Sequence, residues 1–252
     1  MKSIEVKNLT KIFELSKKDS YQSGCNKLYA VKNLNFSLNE GEIFALLGPN
    51  GAGKTTTLRM LSTMIRPTSG EILIDDKDIY LDLNKNKKRI CFLTSELRFD
   101  EFFTPDYAYN YMASLYGISK ENIEKTKEKI FSRFNINEFK DRKISELSTG
   151  MKQKVSIAIS LAHNPDIIIF DEPTNGLDII VANDVENFLL ELKNEGKTII
   201  ISTHIFSLVE KICDRVAIIF DGELQNIYSI KEIKDHNHSL EEVFFKLYKD
   251  KK

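Results

Sequence analysis

The chain has no excess of charge of either sign. Its 252 residues carry 36 Lys and Arg against 37 Asp and Glu, a formal net charge of −1. Nothing in that balance argues for a nucleic acid as partner. The one basic cluster, Lys85, Lys87, Lys88 and Arg89, reads as a solvated loop. Cysteine is scarce and scattered. Cys25, Cys91 and Cys213 are odd in number, far apart and without a CxxC pair, which argues against a disulfide framework or a zinc site and fits a reducing cytosol. No apolar run approaches the roughly 20 residues that a membrane helix needs. The first five residues, Met1 to Glu5, show no apolar stretch of signal-peptide length. Any role at a membrane is therefore expected to pass through a partner. Internal repeats and low-complexity segments are also absent.

What the chain does have is an ordinary globular balance, 42 % hydrophobic and 29 % charged, enough for a sizeable core. Ile4 and Val6, then Leu34, Phe36 and Leu38, alternate with polar residues and predict half-buried strands. The polar stretch from Ser16 to Lys27 between them reads as a surface insertion. Glu42 to Leu47 predicts an apolar strand running into a glycine-rich turn, and Leu58, Leu61 and Ile65 recur at helical spacing. Pro67 to Gly70 reads as a turn, followed by a strand over Glu71 to Asp75. The middle third changes character. Thr104-Pro105 reads as an N-cap and first helical position with a stop at Gly117. Two more helices are expected, one through Ile123, Ile130, Phe131 and Phe134, one through Val155, Ala158, Ile159 and Ala162 up to Asn164-Pro165. Then the alternation returns: strand Ile167 to Phe170, helix Val181 to Leu192 closed by Gly196, strand Thr198 to Ser202, helix Ile205 to Ile212, strand Val216 to Phe220. Apolar strands alternating with helices imply a parallel sheet covered on both faces, here interrupted by a helical insertion.

Two motifs carry chemistry. Gly48-Pro49-Asn50-Gly51-Ala52-Gly53-Lys54-Thr55 fits GxxxxGK[ST] between a predicted strand and helix. Its glycines let backbone N–H groups, those of Asn50, Gly51, Ala52 and Gly53 among them, turn towards phosphate oxygens. The helix beginning near Lys54 adds the positive end of its dipole. Lys54 is expected on the β- and γ-phosphates, Thr55 on Mg²⁺, and Thr56 near the α-phosphate. The second motif is an apolar strand that ends in two carboxylates, Asp171 and Glu172. Successive side chains leave a strand in different directions, so Asp171 can face a metal shell and Glu172 an attacking water, a division that suits phosphoryl transfer. His204 follows a third strand end on the same expected edge, where ligands bind in open α/β sheets.

In this order, the motifs resemble the nucleotide-binding domain of ABC transporters. Leu147-Ser148-Thr149-Gly150-Met151-Lys152-Gln153 resembles the signature, Asp171-Glu172 the Walker B pair, Asn175-Gly176-Leu177-Asp178 the D-loop, and His204 the switch histidine. The resemblance runs from Ile4 to about Tyr228. It implies a P-loop NTPase (RecA-like) fold: a mainly parallel core, an N-terminal antiparallel β subdomain and a helical insertion. The ATP-binding core is expected over 1–95 and 162–228, the helical signature subdomain over 96–161, and a C-terminal tail over 229–252. The resemblance also implies a head-to-tail dimer with two ATP molecules between its subunits. Ser148 and Gly150 would touch the γ-phosphate held by the other subunit. Glu172 would polarise water, His204 would hold the γ-phosphate, and Asp178 would link the two sites. The partners implied are a separate membrane permease above the dimer and, as second ATPase, another copy or a paralogue. The chain would act on the cytoplasmic face of the membrane. The closest pattern is that of export-type subunits, the sodium-extrusion ATPases and their antibiotic- and peptide-resistance relatives. It rests on the sequence from Gly48 to Leu61, on Met151 to Lys154, and on Ser239-Leu240-Glu241-Glu242-Val243-Phe244.

The sequence also departs from that pattern. Where the family has a glutamine that completes the Mg²⁺ shell, the alignment places Ser95, which is shorter. Thr149 replaces a signature glycine and Met151 a glutamine. For the aromatic that stacks on adenine, Phe13 is the candidate and Tyr29 competes with it. The aromatic segment from Phe99 to Tyr116 is expected to form part of a groove for a permease helix, with Phe102 and Phe103 in it. Two other classes stay open: a soluble ABC-type ATPase without a permease, and a nucleotide-binding regulatory module that does not turn over.

Overall fold

A computed structural model describes residues 2–15, 26–94, 100–236 and 238–251. Most of the expected insertion after Ser16 lies outside the described residues, as do Cys25, Ser95 and Phe99. Two sheets organise the rest. In the first, β1 (Lys2–Glu14) pairs antiparallel with β2 (Lys27–Asn39) on one side and with β4 (Ser69–Ile74) on the other, and the short β5 (Lys77–Asp78) closes it. The alternation in β1 and β2 does what it predicts: Ile4, Val6, Leu34, Phe36 and Leu38 are buried. The turn before β4 is shorter than expected, because Ser69 and Gly70 already belong to the strand. Gly70 has φ of 87°, and a Cβ there would sit 2.3 Å from the Asn8 carbonyl oxygen, so β4 can approach β1 this closely only with glycine.

The second sheet has six strands in the order β10-β9-β3-β8-β7-β6. Five are parallel: β3 (Ile43–Leu47), β6 (Ile90–Thr94), β7 (Ile167–Asp171), β8 (Thr198–Thr203) and β9 (Arg215–Phe220). β10 (Glu223–Ser229) adds an antiparallel edge. The central strands are apolar throughout because both faces are covered. Ile43, Ala45 and Leu47 of β3, with Ile168 and Phe170 of β7, enter a core shared with the helices. Phe44, Leu46, Ile167 and Ile169 enter a second core, shared with the antiparallel sheet. One strand thus serves two cores by its period of two.

Helix α1 (Lys54–Leu61) follows β3; Ile65 lies beyond its end. The basic cluster forms a helix and not a loop: α2 (Leu83–Arg89) is capped by Asp82, whose side chain accepts from the Lys85 N–H. Lys87, Lys88 and Arg89 occupy its last turn, where cations suit the negative helix end. Arg89 pairs with Asp75 at 2.6 Å and Asp166 at 3.2 Å. The middle third contains α3 (Pro105–Leu115), α4 (Lys120–Arg133) and α5 (Thr149–Ser160). Thr104 caps α3 ahead of Pro105, and the chain turns at Gly117 with φ of 73°. α5 ends at Ser160, four residues before Asn164, so the Asn-Pro pair belongs to the loop into β7. In the last third, α6 (Ile179–Asn194) and α7 (Phe206–Ile212) alternate with the strands. The segment expected as a tail forms α8 (Ile230–Asp235) and α9 (Leu240–Asp250), the latter opened by a Ser239/Glu242 capping box. Leu240 and Phe244 of α9 are buried in the first core, each contributing about 1.5–3 kcal/mol of apolar burial. These two helices are therefore packed against the domain.

Candidate functional site: a phosphate-binding cavity at one sheet edge

The loop after β3 turns around a space bounded by other backbone. A Cβ on Gly48 would meet the Ile219 carbonyl oxygen of β9 at 2.2 Å. One on Gly53, at φ of 94°, would meet the Ala30 carbonyl oxygen at 2.3 Å. Both positions therefore require glycine. Gly53 is the N-cap of α1 and makes no side-chain cap hydrogen bond, which leaves the N–H groups of the first turn available to an anion. Lys54 is buried and folds back over the loop, donating to the Gly48 carbonyl at 2.8 Å and the Pro49 carbonyl at 3.2 Å. Burial pulls its pKa below the ordinary lysine value, and the charges of Glu172 and Asp171 oppose that shift.

The strand ends bring the remaining groups to the same edge. Asp171, the last residue of β7, accepts from the Thr55 hydroxyl at 3.2 Å and from the Ser202 hydroxyl. Glu172 has left the strand with φ of 53°, and its N–H is held by the Ser202 carbonyl at 3.1 Å. Its Oε1 lies 3.2 Å from His204 Nδ1 and 3.7 Å from Lys54 Nζ. Its Oε2 is buried and has no hydrogen-bond partner among the described residues, a costly state that a bound donor would relieve. A cavity of about 770 Å³ joins these groups, lined at one end by Asn50 to Thr56, Glu172 and His204, and at the other by Phe13 and Tyr29. Phe13 and Tyr29 are both half-exposed, on paired strands β1 and β2, with the Lys11 ammonium 5.1 Å from the Phe13 ring centre.

The Thr55 hydroxyl and the Asp171 carboxylate are hard oxygen donors and fit Mg²⁺, which takes one or two protein oxygens and completes its shell with water and phosphate. Among the described residues there is no group of three or more His, Cys, Asp or Glu that could hold a metal alone, so phosphate oxygens would have to complete that shell.

Three predicted residues lie elsewhere. Ser148 caps α5, its hydroxyl accepting from the Met151 N–H at 3.3 Å. Asp178 caps α6, accepting from the Ile180 and Val181 N–H groups at 3.0 Å each. Ser148, Gly150 and Asp178 share a second, smaller cavity that has no residue in common with the first. Within one chain the signature and the P-loop are therefore separate. Ser202 was not singled out from the sequence, although it is fully buried and holds both Asp171 and Glu172. The available signal was a serine inside the apolar run of β8, two residues before His204.

Fold and cavity define a P-loop nucleotide-binding protein. A model of the ABC transporter family matches residues 31–175. The ABC transporter ATP-binding protein NatA of Bacillus subtilis (strain 168) is 38 % identical over 216 residues, 83 % of this chain and 88 % of that protein. A dimeric ATP-binding cassette in a post-hydrolysis state, bound to ADP and Pi, superposes with a TM-score of 0.77 at 27 % identity, covering 90 % of this chain and 98 % of that one. The cbiO1 protein from Clostridium perfringens, described as part of the ABC transporter complex cbiONQ, gives a TM-score of 0.77 at 28 % identity, covering 94 % and 92 %. The chain belongs to the ABC transporter family, as an ATP-binding subunit.

Proposed function

We propose that this subunit binds ATP with Mg²⁺, hydrolyses it as one half of a dimer, and thereby drives a separate membrane permease from the cytoplasmic face. The observation that carries the hydrolytic reading is the Glu172 carboxylate, whose Oε1 meets Lys54 and His204 and whose buried Oε2 has no hydrogen-bond partner among the described residues. A carboxylate so placed accepts a proton-bearing group, and a water in line with a γ-phosphate is that group. Lys54 exchanges its two loop carbonyls for β- and γ-phosphate oxygens, a stronger charge-assisted interaction. The N–H groups of Asn50 to Gly53 and the first turn of α1 hold the phosphates, with Thr56 near the α-phosphate. Thr55 and Asp171 hold Mg²⁺. When bound, Mg²⁺ neutralises charge that develops on the phosphate oxygens. His204 contacts the γ-phosphate, and Phe13 or Tyr29 stacks on adenine.

The dimer reading rests on the separation of the two cavities. Ser148 and Gly150 share no cavity with the P-loop of their own chain and would meet that of a partner, either a second copy or a paralogue. Ile179 and Ile180, beside Asp178, are 85 % and 73 % exposed, apolar surface that such a partner would cover. The dimeric relative with ADP and Pi supports this arrangement, and the cbiONQ assembly supports work inside a transporter complex. Among the described residues no helix is long and apolar enough to cross a membrane, so the permease would be another chain. Phe102, 79 % exposed, with the half-exposed Tyr107 and Tyr111 on α3, offers an aromatic surface to it; Phe103 packs inward. Export is the direction the subfamily resemblance supports. The test is phosphate release by the purified chain and by Glu172→Gln. Turnover in the first, a fall of about 10²–10⁴-fold in the second, and an ATP-dependent dimer of the variant are expected. ATP binding without phosphate release by the unaltered chain would instead identify a regulatory binder.

A further inference from the structure

The nucleotide cavity is not the only large concavity. A second, of about 650 Å³, opens between α4, the loop from α5 to β7, and the C-terminal half of α6. It meets β7 at Ile168, towards the opposite end of that strand from Asp171, and shares no residue with the nucleotide cavity. Its floor is apolar: Ile130, Leu161, Ile168, Phe188 and Leu192. Its rim carries four cations, Lys125, Lys129, Arg133 and Lys197, against two carboxylates, Glu191 and Glu195.

The carboxylates are already engaged. Arg133 donates to both oxygens of Glu191, at 2.9 and 2.7 Å, and Lys129 pairs with Glu195 at 2.7 Å. These two pairs tie α4 to α6 across the cavity. Lys197 is different. It is half-buried, its ammonium donates to the neutral Asn164 side chain at 2.7 Å, and among the described residues no carboxylate lies within ion-pair distance of it. Lys125 also has no ion-pair partner among the described residues. Burial lowers the pKa of the Lys197 ammonium, and the Asp166 and Glu195 carboxylates, both beyond ion-pair distance, only partly oppose that shift.

We propose that this cavity binds a small amphipathic carboxylate, with the hydrocarbon against Ile130, Phe188 and Leu192 and the carboxylate on Lys197. The volume and the few convergent polar groups are those of a small-molecule site, and the excess of cations on the rim, with Lys197 on a neutral amide, selects an anion over a neutral or cationic ligand. Because its walls come from both the helical insertion and the sheet domain, a ligand here would favour one relative placement of the two.

Titration calorimetry of the full chain with decanoate tests this, with decanol as the uncharged control. Expected are one decanoate per chain, weaker binding of decanol, at least a tenfold loss of decanoate affinity in Lys197→Ala with recovery in Lys197→Arg, and no effect of Lys197→Ala on decanol. Ile130→Trp, which fills the hollow, should abolish both. Absence of saturable decanoate binding would overturn the proposal, as would decanol binding as tightly or decanoate affinity unchanged in Lys197→Ala. If Ile130→Trp does not melt cooperatively, the two Lys197 variants decide alone.

Discussion

The chain presents two helix N-termini at functional motifs, and they are built differently. At α1 the cap is a glycine without a side chain, the first residue is a buried lysine, and the ends of two neighbouring strands bring Glu172, after β7, and His204, after β8, to the same cavity, with Asp171 on the Thr55 hydroxyl. At α5 the cap is Ser148, its hydroxyl already spent on the Met151 N–H, and the surroundings are Asp178, Val181 and exposed aliphatics. One end is a near-complete phosphate site. The other is a half-site, the difference expected if a single subunit, as proposed, holds a nucleotide and needs a partner to complete the chemistry.

The largest test of that difference removes Lys54 in one variant and Ser148 in another. Lys54→Ala should weaken ATP binding about 10- to 100-fold, the worth of a hydrogen bond to a charged group. Ser148→Ala should leave single-chain ATP affinity within about twofold and cost about 1 kcal/mol of stability as a lost cap, yet lower turnover of the dimer. Equilibrium ATP binding, thermal melting and phosphate release separate the three effects. Equal loss of ATP affinity in both variants would break the comparison.

A second test concerns the half-site's surroundings. Ile180→Glu places a charge on an exposed aliphatic of α6. It should leave the melting temperature within the small range of surface substitutions, about 0.5 kcal/mol, while suppressing the ATP-dependent dimer in light scattering. A dimer that forms unchanged would move the interface elsewhere.

A third uses pH. Burial lowers the Lys54 pKa, and Glu172 is the largest influence raising it back. Glu172→Gln removes that support, so Lys54 loses its proton at a lower pH than in the unaltered chain. The alkaline limb of ATP binding should therefore move to lower pH in the variant. A limb in the same place would mean that the two groups are not coupled.

The smallest effect is expected at Lys251. Its ammonium contacts the Phe220 carbonyl and Asp221, each at 3.1 Å. The next residue, Gly222, donates to the Ala52 carbonyl at 3.1 Å and accepts from the Lys32 N–H at 2.8 Å. The residue that caps the C-terminus of α9 thus steadies the turn that backs the phosphate loop. Half-exposed ion pairs contribute about 0–1 kcal/mol, so Lys251→Ala should raise the KM for ATP by no more than about threefold and leave kcat unchanged.

Much of this was legible in order along the chain. Gly48 to Thr55 announces its turn because Gly48 and Gly53 face backbone that excludes any side chain. Asp171 and Glu172 announce themselves as charges at the end of a five-residue apolar strand. The basic cluster misled because its loop-like composition hides a cap at Asp82 and carboxylate partners at Asp75 and Asp166, the latter 77 residues from Arg89. The tail misled because α9 is held by Phe206 and Phe220, aromatics from other elements. Ser202 was passed over because a hydroxyl in a strand becomes significant only when its partners are known.

By itself, the sequence determined most of the strands and helices, since periodicity and caps are local, and it marked the residues proposed to meet a phosphate, since glycine, lysine and carboxylate occur in a strict order. Only the tertiary structure decided that Glu172 meets Lys54 and His204 at one cavity, that Ser148 lies in a different cavity from the P-loop, and that Lys197 stands at an apolar hollow without an ion-pair partner among the described residues. Those facts depend on which distant segments share an edge or a seam, and that is set by the sheet order and by the packing of α4 against α6.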